Sequence, residues 1–141
     1  DWIATHRAQV LRDRQQGALH AIGAEQLETL KELARGPIYE SLRRFAPQMG
    51  VNYGRVTIRC QKSRWGSCSS AGNLNFNCLL ALAPREVLDY VVVHELAHRL
   101  HMDHSAAFWQ EVEKVLPDYR VCRDWLRQNG GALLARTGEN G

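Results

Sequence analysis

Four histidines stand close together in the stretch HELAHRLHMDHS, which begins at His94 and ends at Ser105. They make up most of the six histidines in the chain of 141 residues. Imidazole rings gathered in a fold need polar partners, and a metal ion is the partner that several of them can share. Because a metal site fixes several side chains relative to one another, this cluster constrains the fold more than any other feature of the sequence.

The first two histidines have the spacing of metal ligands on a helix. His94 and His98 are four residues apart, so on a helix they project about 40° from each other and both rings can reach one ion. Glu95 is displaced by about 100° around the helix, which places its carboxylate near a metal-bound water rather than on the metal. The pattern H-E-x-x-H thus predicts two ligands and a general base.

The third ligand determines the local architecture. His101 lies on nearly the same helical stripe, but about 10.5 Å along the axis from His94, which makes convergence on one tetrahedral ion awkward. His104 can join only if the helix ends near residues 100–102 and the chain folds back, with Ser105 as N-cap of the next helix. We therefore favour His104 as the third ligand and regard His101 as spare.

An acidic third ligand, Glu111 or Glu113 on the following helix, remains an alternative. Three protein ligands leave one position for water, the arrangement of a catalytic rather than a structural zinc ion. Water bound there titrates near pH 7, and Glu95 can pass its proton to the leaving group. The cluster therefore predicts metal-assisted hydrolysis.

The rest of the chain predicts an α+β fold. Helical periodicity over residues 24–45 is interrupted by Gly36-Pro37, which indicates a kinked helix or two short ones. Alternation in RVTIRCQKSRW and NLNFNCLLAL predicts two strands, and the Gly- and Ser-rich SRWGSCSSAG between them predicts a long hairpin loop or a sharp connection. Later helices are expected from Pro84, from Ser105 to Pro117, and from Asp118 until Asn129-Gly130-Gly131 stops the last one.

Three stretches together carry a specific resemblance. QKSRWGSCSSAGNLNFN, PREVLDYVVVHELAHRLHMDHSAAFW and LPDYR resemble the YgjP-like metallopeptidase domain family, a zincin-type group of small hydrolases, and more distantly SprT-like domains. The resemblance spans about residues 51–126. It implies zinc ligands His94, His98 and His104, with Glu95 as catalytic acid and base. The implied fold is a minimal zincin-like domain, with a small antiparallel or mixed sheet packed against the H-E-x-x-H helix and further helices.

The domain organisation follows from this match. We expect a helical lead-in over residues 1–50, a zincin-like metallopeptidase core over residues 51–130 and a flexible C-terminal tail over residues 131–141. Relatives usually carry a further N-terminal region of strands that this sequence does not show, and the sequence starts without Met, so we expect a fragment.

The substrate site is predicted from the strand NLNFN. Zincin-like folds commonly lay an extended substrate along an edge strand beside the metal helix, and in this strand one side is entirely asparagine. Their amides would hold a peptide backbone, or else form only the solvated face of the strand. Arg64 could anchor a carboxylate or phosphate, Trp65 could cover the site or fill core, and His101 could stabilise an oxyanion or act only indirectly. The predicted substrate-binding residues are Arg64, Asn75, Asn77 and His101.

The leading functional hypothesis is a zinc-dependent metallopeptidase acting on unfolded or extended polypeptides. The alternative is a zinc-dependent hydrolase of nucleoside triphosphates, because Arg55, Arg59, Lys62 and Arg64 could contact phosphate oxygens. A net charge of +3 without a dense basic run gives no strong signal for nucleic acid. No apolar run is long enough to cross a membrane, and four cysteines without C-x-x-C spacing predict a reducing, cytoplasmic location.

Overall fold

The computed structural model describes residues 23–61 and 63–138 of the chain. Lys62, one of the predicted phosphate contacts, and most of the first half of the predicted lead-in lie outside the described residues. The elements, in chain order, are α1 (Ala24–Met49), β1 (Val56–Arg59), β2 (Gly66–Cys68), β3 (Leu74–Asn77), a 3-10 helix (Cys78–Leu82), α2 (Arg85–Ala97), α3 (Ala106–Val115) and α4 (Tyr119–Gly138).

Helix α1 is one continuous helix that contains Pro37, so the alternative of two short helices is wrong. Proline removes one helical hydrogen bond, but the apolar stripe continues on both sides of it and holds the helix together by packing. This stripe is buried against α2 and the 3-10 helix. The helix ends at Gly50, whose φ of 69° is the left-handed conformation that glycine adopts readily.

The described residues form one three-stranded sheet in the order β1-β3-β2. β1 pairs with β3 in parallel, and β2 pairs with β3 in antiparallel orientation. The expectation of a mixed sheet is therefore confirmed. β2 lies inside the segment that was predicted to be a loop, because three residues that begin with glycine are too few to show an alternating pattern.

This strand order overturns one prediction about the substrate site. NLNFN forms β3, which is the central strand and has both edges paired. It is therefore not an edge strand that could accept a peptide. In the described sheet the edge strand beside the H-E-x-x-H helix is β2, which packs against α2.

The last two helices begin where the sequence predicts them. Ser105 is the N-cap of α3, and its hydroxyl accepts a hydrogen bond from the Phe108 backbone N–H at 3.4 Å. The predicted stop of α4 at Asn129-Gly130-Gly131 is wrong, because the helix continues to Gly138. A Cβ atom on Gly130 would lie 3.0 Å from Nε1 of Trp65, so this glycine allows close packing rather than ending the helix.

Within the described residues, no helix is both long and apolar enough to span a bilayer. α1, α2 and the sheet contribute to one continuous core, which also contains buried residues of α3 and α4. Helices α2 and α3 pack against each other, and the clustered histidines lie where they meet.

Candidate metal centre

Three histidine side chains converge at the junction of α2 and α3. His94, His98 and His104 each offer a ring nitrogen, and these nitrogens all lie within 4.8 Å of one another. The ring centroids are 5.1 Å apart for His94 and His98, 5.1 Å for His94 and His104, and 4.9 Å for His98 and His104. Imidazole nitrogens at these separations are suited to holding one metal ion.

The backbone brings His104 back by ending the helix early. α2 ends at Ala97 and His98 is its C-cap, whereas the sequence predicted an end near residues 100–102. The turn that follows is tied to the helix by the His101 backbone N–H, which donates to the Ala97 carbonyl at 3.0 Å. The chain then reverses through His104 into the cap at Ser105. The fold-back that the third ligand requires is thus present, one turn earlier than predicted.

His101 is outside the cluster that the described histidines form. Its backbone carbonyl lies 3.0 Å from Nδ1 of His98. When His98 carries its proton on Nδ1, that nitrogen donates to the carbonyl and Nε2 is left to bind a metal. His101 therefore contributes through its backbone, which orients a neighbouring ligand.

The acidic alternatives for the third ligand point to other partners. Glu111 accepts a hydrogen bond from Lys114 at 2.9 Å, and Glu113 lies 3.5 Å from Arg120. Neither belongs to the cluster of His94, His98 and His104. Among the described residues, it is His104 that the structure groups with His94 and His98.

Aromatic rings from α3 pack around the triad. The buried Phe108 ring lies 5.0 Å from the His94 ring, 4.6 Å from His98 and 5.0 Å from His104, measured between centroids. Burial lowers the pKa of His104, and the neighbouring His94 and His98 lower it further. A lowered pKa favours the neutral imidazole, which is the form that binds a metal.

Glu95 lies beneath the triad, with only 5% of its surface exposed. Its Oε2 is 3.0 Å from Nδ1 of His94. Gly66 of β2 lies directly against it, since a Cβ atom there would be 3.1 Å from Cγ of Glu95 and 3.2 Å from Oε2. The sequence analysis did not single out Gly66; a glycine inside RWGSC was the available signal.

Two adjoining cavities open beside Glu95. One of about 280 Å³ contains the triad and is bounded on the opposite side by Arg64 and strand β2. The other, of about 230 Å³, shares Arg64, Gly66, His94 and Glu95 with the first. Its remaining wall is mainly apolar and consists of Trp65, Tyr90, Val91 and Leu126.

Of the predicted substrate-binding residues, Arg64 lies at the cavities, whereas Asn77 is buried within the fold. Arg64 is exposed and borders both cavities. Asn77 is only 1% exposed, and its side-chain amide donates to the carbonyls of Gln61 at 3.0 Å and Arg64 at 2.9 Å. Its Oδ1 accepts from the Leu79 N–H at 3.0 Å. The Asn77 side chain is therefore committed to the fold and does not line either cavity.

Asn75 is also turned away from the metal centre. It pairs with Ser67 of β2, and its amide donates to the Ser67 hydroxyl at 3.2 Å. Side chains alternate along a strand, and Gly66, the neighbour of Ser67, is the residue that faces Glu95. By this alternation the Asn75 side chain lies on the opposite face of the sheet, and Asn75 borders neither cavity, whereas Ser67 is among the residues that line the cavity with the triad.

The model of the YgjP-like metallopeptidase domain family matches residues 1–129. The chain belongs to the YgjP-like metallopeptidase domain family. It is therefore a metal-dependent hydrolase of the peptidase class, as the resemblance implied. No curated protein matches the chain.

Two solved structures share the fold of this YgjP-like domain. The metallopeptidase zymogen of Pyrococcus abyssi abylysin is 26% identical, with a TM-score of 0.60 over 65% of this chain and 93% of that one. The metallopeptidase zymogen of Methanocaldococcus jannaschii jannalysin is 19% identical, with a TM-score of 0.57 over 65% of this chain and 95% of that one. Both similarities confirm the predicted minimal zincin-like α+β fold.

Proposed function

We propose that this chain is a zinc-dependent metallopeptidase in which His94, His98 and His104 hold the ion and Glu95 is the catalytic base and acid. One observation carries the proposal: the three histidine nitrogens lie within 4.8 Å of one another, beside a carboxylate that is almost fully buried. Burying a carboxylate costs free energy, and a buried carboxylate beside a cluster of ring nitrogens in a cleft is typical of a functional site.

The donor set fits zinc. Neutral imidazole is a preferred zinc ligand, and a site with three protein ligands leaves one position open to solvent or substrate. When bound, zinc supplies a Lewis acid and lowers the pKa of water into the neutral range. The carbonyl of His101 and the ring of Phe108 hold the histidines in place before the ion arrives.

Glu95 is positioned to move the proton. Its carboxylate is fixed between α2 and the backbone of Gly66, so it has little freedom to turn away from the cleft. There it takes a proton from the attacking water and delivers it to the amine that leaves when the peptide bond breaks. Arg64, at the border of both cavities, is placed to bind a carboxylate or carbonyl of the substrate.

The substrate is an extended polypeptide that pairs with β2. Because β2 is the edge strand that lies beside Glu95, a peptide added to it in antiparallel orientation runs across the metal centre. The smaller cavity, lined by Trp65, Tyr90 and Leu126, then receives one bulky apolar side chain next to the bond that is cut. Unfolded segments are suitable substrates, because a folded protein rarely offers a free strand.

The test is to incubate the zinc-loaded protein with a mixture of unfolded polypeptides and to map new N-termini by mass spectrometry. The variant Glu95→Gln serves as the inactive form, and Glu111→Gln as the matched control for the loss of one negative charge. We expect new N-termini with the unmodified chain and with Glu111→Gln, and none with Glu95→Gln. Equal cleavage by all three proteins contradicts the proposal. Pyrophosphate release from nucleoside triphosphates, without peptide cleavage, assigns the same site to phosphate chemistry instead.

A further inference from the structure

Two cysteines that play no part in the metal centre lie in contact with each other. The Sγ atoms of Cys60 and Cys78 are 3.0 Å apart. Cys60 follows β1 and Cys78 follows β3, and the last paired residues of these parallel strands are Arg59 and Asn77. Neighbouring strands are about 4.8 Å apart, which is within the Cα separation that a disulfide spans. The sheet therefore brings the two thiols into position for a disulfide.

The two thiols differ in burial, and this difference determines which of them an oxidant reaches first. Cys78 is fully buried, whereas Cys60 is only half-buried and can be reached from solvent. Burial and the hydrogen bond with Cys60 raise the pKa of Cys78, while the nearby ammonium of Lys31 opposes this rise. The Lys31 side chain on α1 is 30% exposed and interacts electrostatically with both sulfurs. An oxidant from solvent thus meets Cys60 first.

We propose that Cys60 and Cys78 are a reversible oxidation site, at which hydrogen peroxide converts the two thiols into one disulfide. The Cys60 sulfur attacks one peroxide oxygen, the O–O bond breaks, and the products are a sulfenic acid at Cys60 and one water. The Cys78 sulfur then attacks the Cys60 sulfur, the S–O bond breaks, and the departing hydroxide takes the Cys78 proton to form a second water. A dithiol or glutathione reverses the reaction by thiol exchange.

The disulfide would close a loop that contains one wall of the metal cleft. Residues 60–78 include Arg64, strand β2 and strand β3. In the reduced protein this loop is already held at its base by the Asn77 amide, which binds the carbonyls of Gln61 and Arg64. A disulfide between Cys60 and Cys78, the residue after Asn77, restrains the same loop in the unfolded chain as well. The oxidised form should therefore unfold at a higher temperature, with a Tm about 5 °C or more above that of the reduced form.

The test uses the full chain carrying Cys68→Ser and Cys122→Ser, so that Cys60 and Cys78 are the remaining cysteines. The folded protein is treated with hydrogen peroxide, and its free thiols are then alkylated and counted by intact mass. We expect both thiols to be protected, a mass loss of two hydrogens, and full recovery of alkylation after treatment with a dithiol. Adding Cys60→Ser provides the control, which must leave Cys78 open to alkylation once the protein is denatured.

A second measurement covers the case in which the double variant does not fold. The unmodified chain is oxidised, alkylated and digested with a protease that cuts after Phe76, which separates Cys68 from Cys78. A crosslinked peptide joining Cys60 to Cys78, together with the higher Tm, supports the proposal. Alkylation of both Cys60 and Cys78 after peroxide treatment overturns it, as does a sulfinic acid at Cys60 or a crosslink that joins another pair.

Discussion

The two sides of the metal cleft are built in different ways. The histidine side is local: the three clustered histidines and Glu95 come from His94 to His104, on one helix end and the turn that follows. The opposite side is assembled from distant parts of the chain, because β2 reaches its place only by pairing with β3. Chemistry is thus concentrated in one short segment, while the wall that positions a substrate depends on the whole sheet.

The largest expected effect tests the histidine side. Replacing Glu95 by Gln removes the group that takes and gives the proton, so we expect kcat for peptide cleavage to fall by about 10²–10⁴-fold. The metal content should not change, since Glu95 is not in the ligand cluster. Steady-state kinetics and metal analysis of the purified variant check both points. An unchanged kcat would show that the base lies elsewhere in the cleft.

The second prediction decides which histidine is spare. His104→Ala removes a ligand, so zinc affinity measured by chelator competition should fall by more than the roughly 10–100-fold typical of changes around a metal site. His101→Ala is the matched control, because its backbone carbonyl, which orients His98, is retained. It should bind zinc almost as the unmodified chain does. The reverse order of affinities would make His101 the ligand.

The third prediction tests the sheet side of the comparison. Gly66→Ala places a methyl group against Glu95 and the Asn75 carbonyl, so we expect kcat to fall by about 10–100-fold through displacement of the carboxylate. Gly36→Ala is the control, because nothing lies within 4 Å of its Cβ position in α1. That change should leave kcat as it is in the unmodified chain. If Gly66→Ala has the same kcat as the unmodified chain, close contact between β2 and Glu95 is not needed for catalysis.

The smallest expected effect separates a structural asparagine from a substrate-binding one. Asn77→Ala leaves the Leu79 N–H without its acceptor, and the carbonyls of Gln61 and Arg64 lose its amide. We expect the free energy of unfolding to fall by about 1–3 kcal/mol. Asn75→Ala, which loses one bond to Ser67, should cost about 0.5–1.5 kcal/mol. Urea unfolding measures both, and a rise in KM without loss of stability in either variant would restore its predicted substrate role.

The contrast between a local histidine side and a sheet side built from distant segments explains which features the sequence could predict. Spacing along a helix is fixed by geometry, so the pairing of His94 with His98 and the cap at Ser105 could be predicted from residues 94–105 alone. Strand order depends on pairing between distant segments, which a single sequence does not encode locally. The sequence analysis therefore missed β2 and made β3 an edge strand. The contact between Cys60 and Cys78 was missed for the same reason, since it arises from the register of β1 on β3.

Glycine shows the limit of local patterns most clearly. In the sequence, Gly130-Gly131 has the form of a helix stop, and Gly66 that of a loop. In the fold, Gly130 instead allows α4 to approach Trp65, and Gly66 allows β2 to approach Glu95. Both depend on a neighbour far away in the chain. Their roles could be identified only after the packing of the helices and the sheet was known.

The most direct test of the central claim is to locate the metal by anomalous X-ray diffraction at the zinc absorption edge, on crystals of the zinc-loaded protein. The account predicts one ion bound by His94, His98 and His104, with Zn–N distances of about 2.0–2.1 Å and an open position on the side of Glu95. An ion bound by His101, or by Glu111 or Glu113 in place of His104, would contradict it.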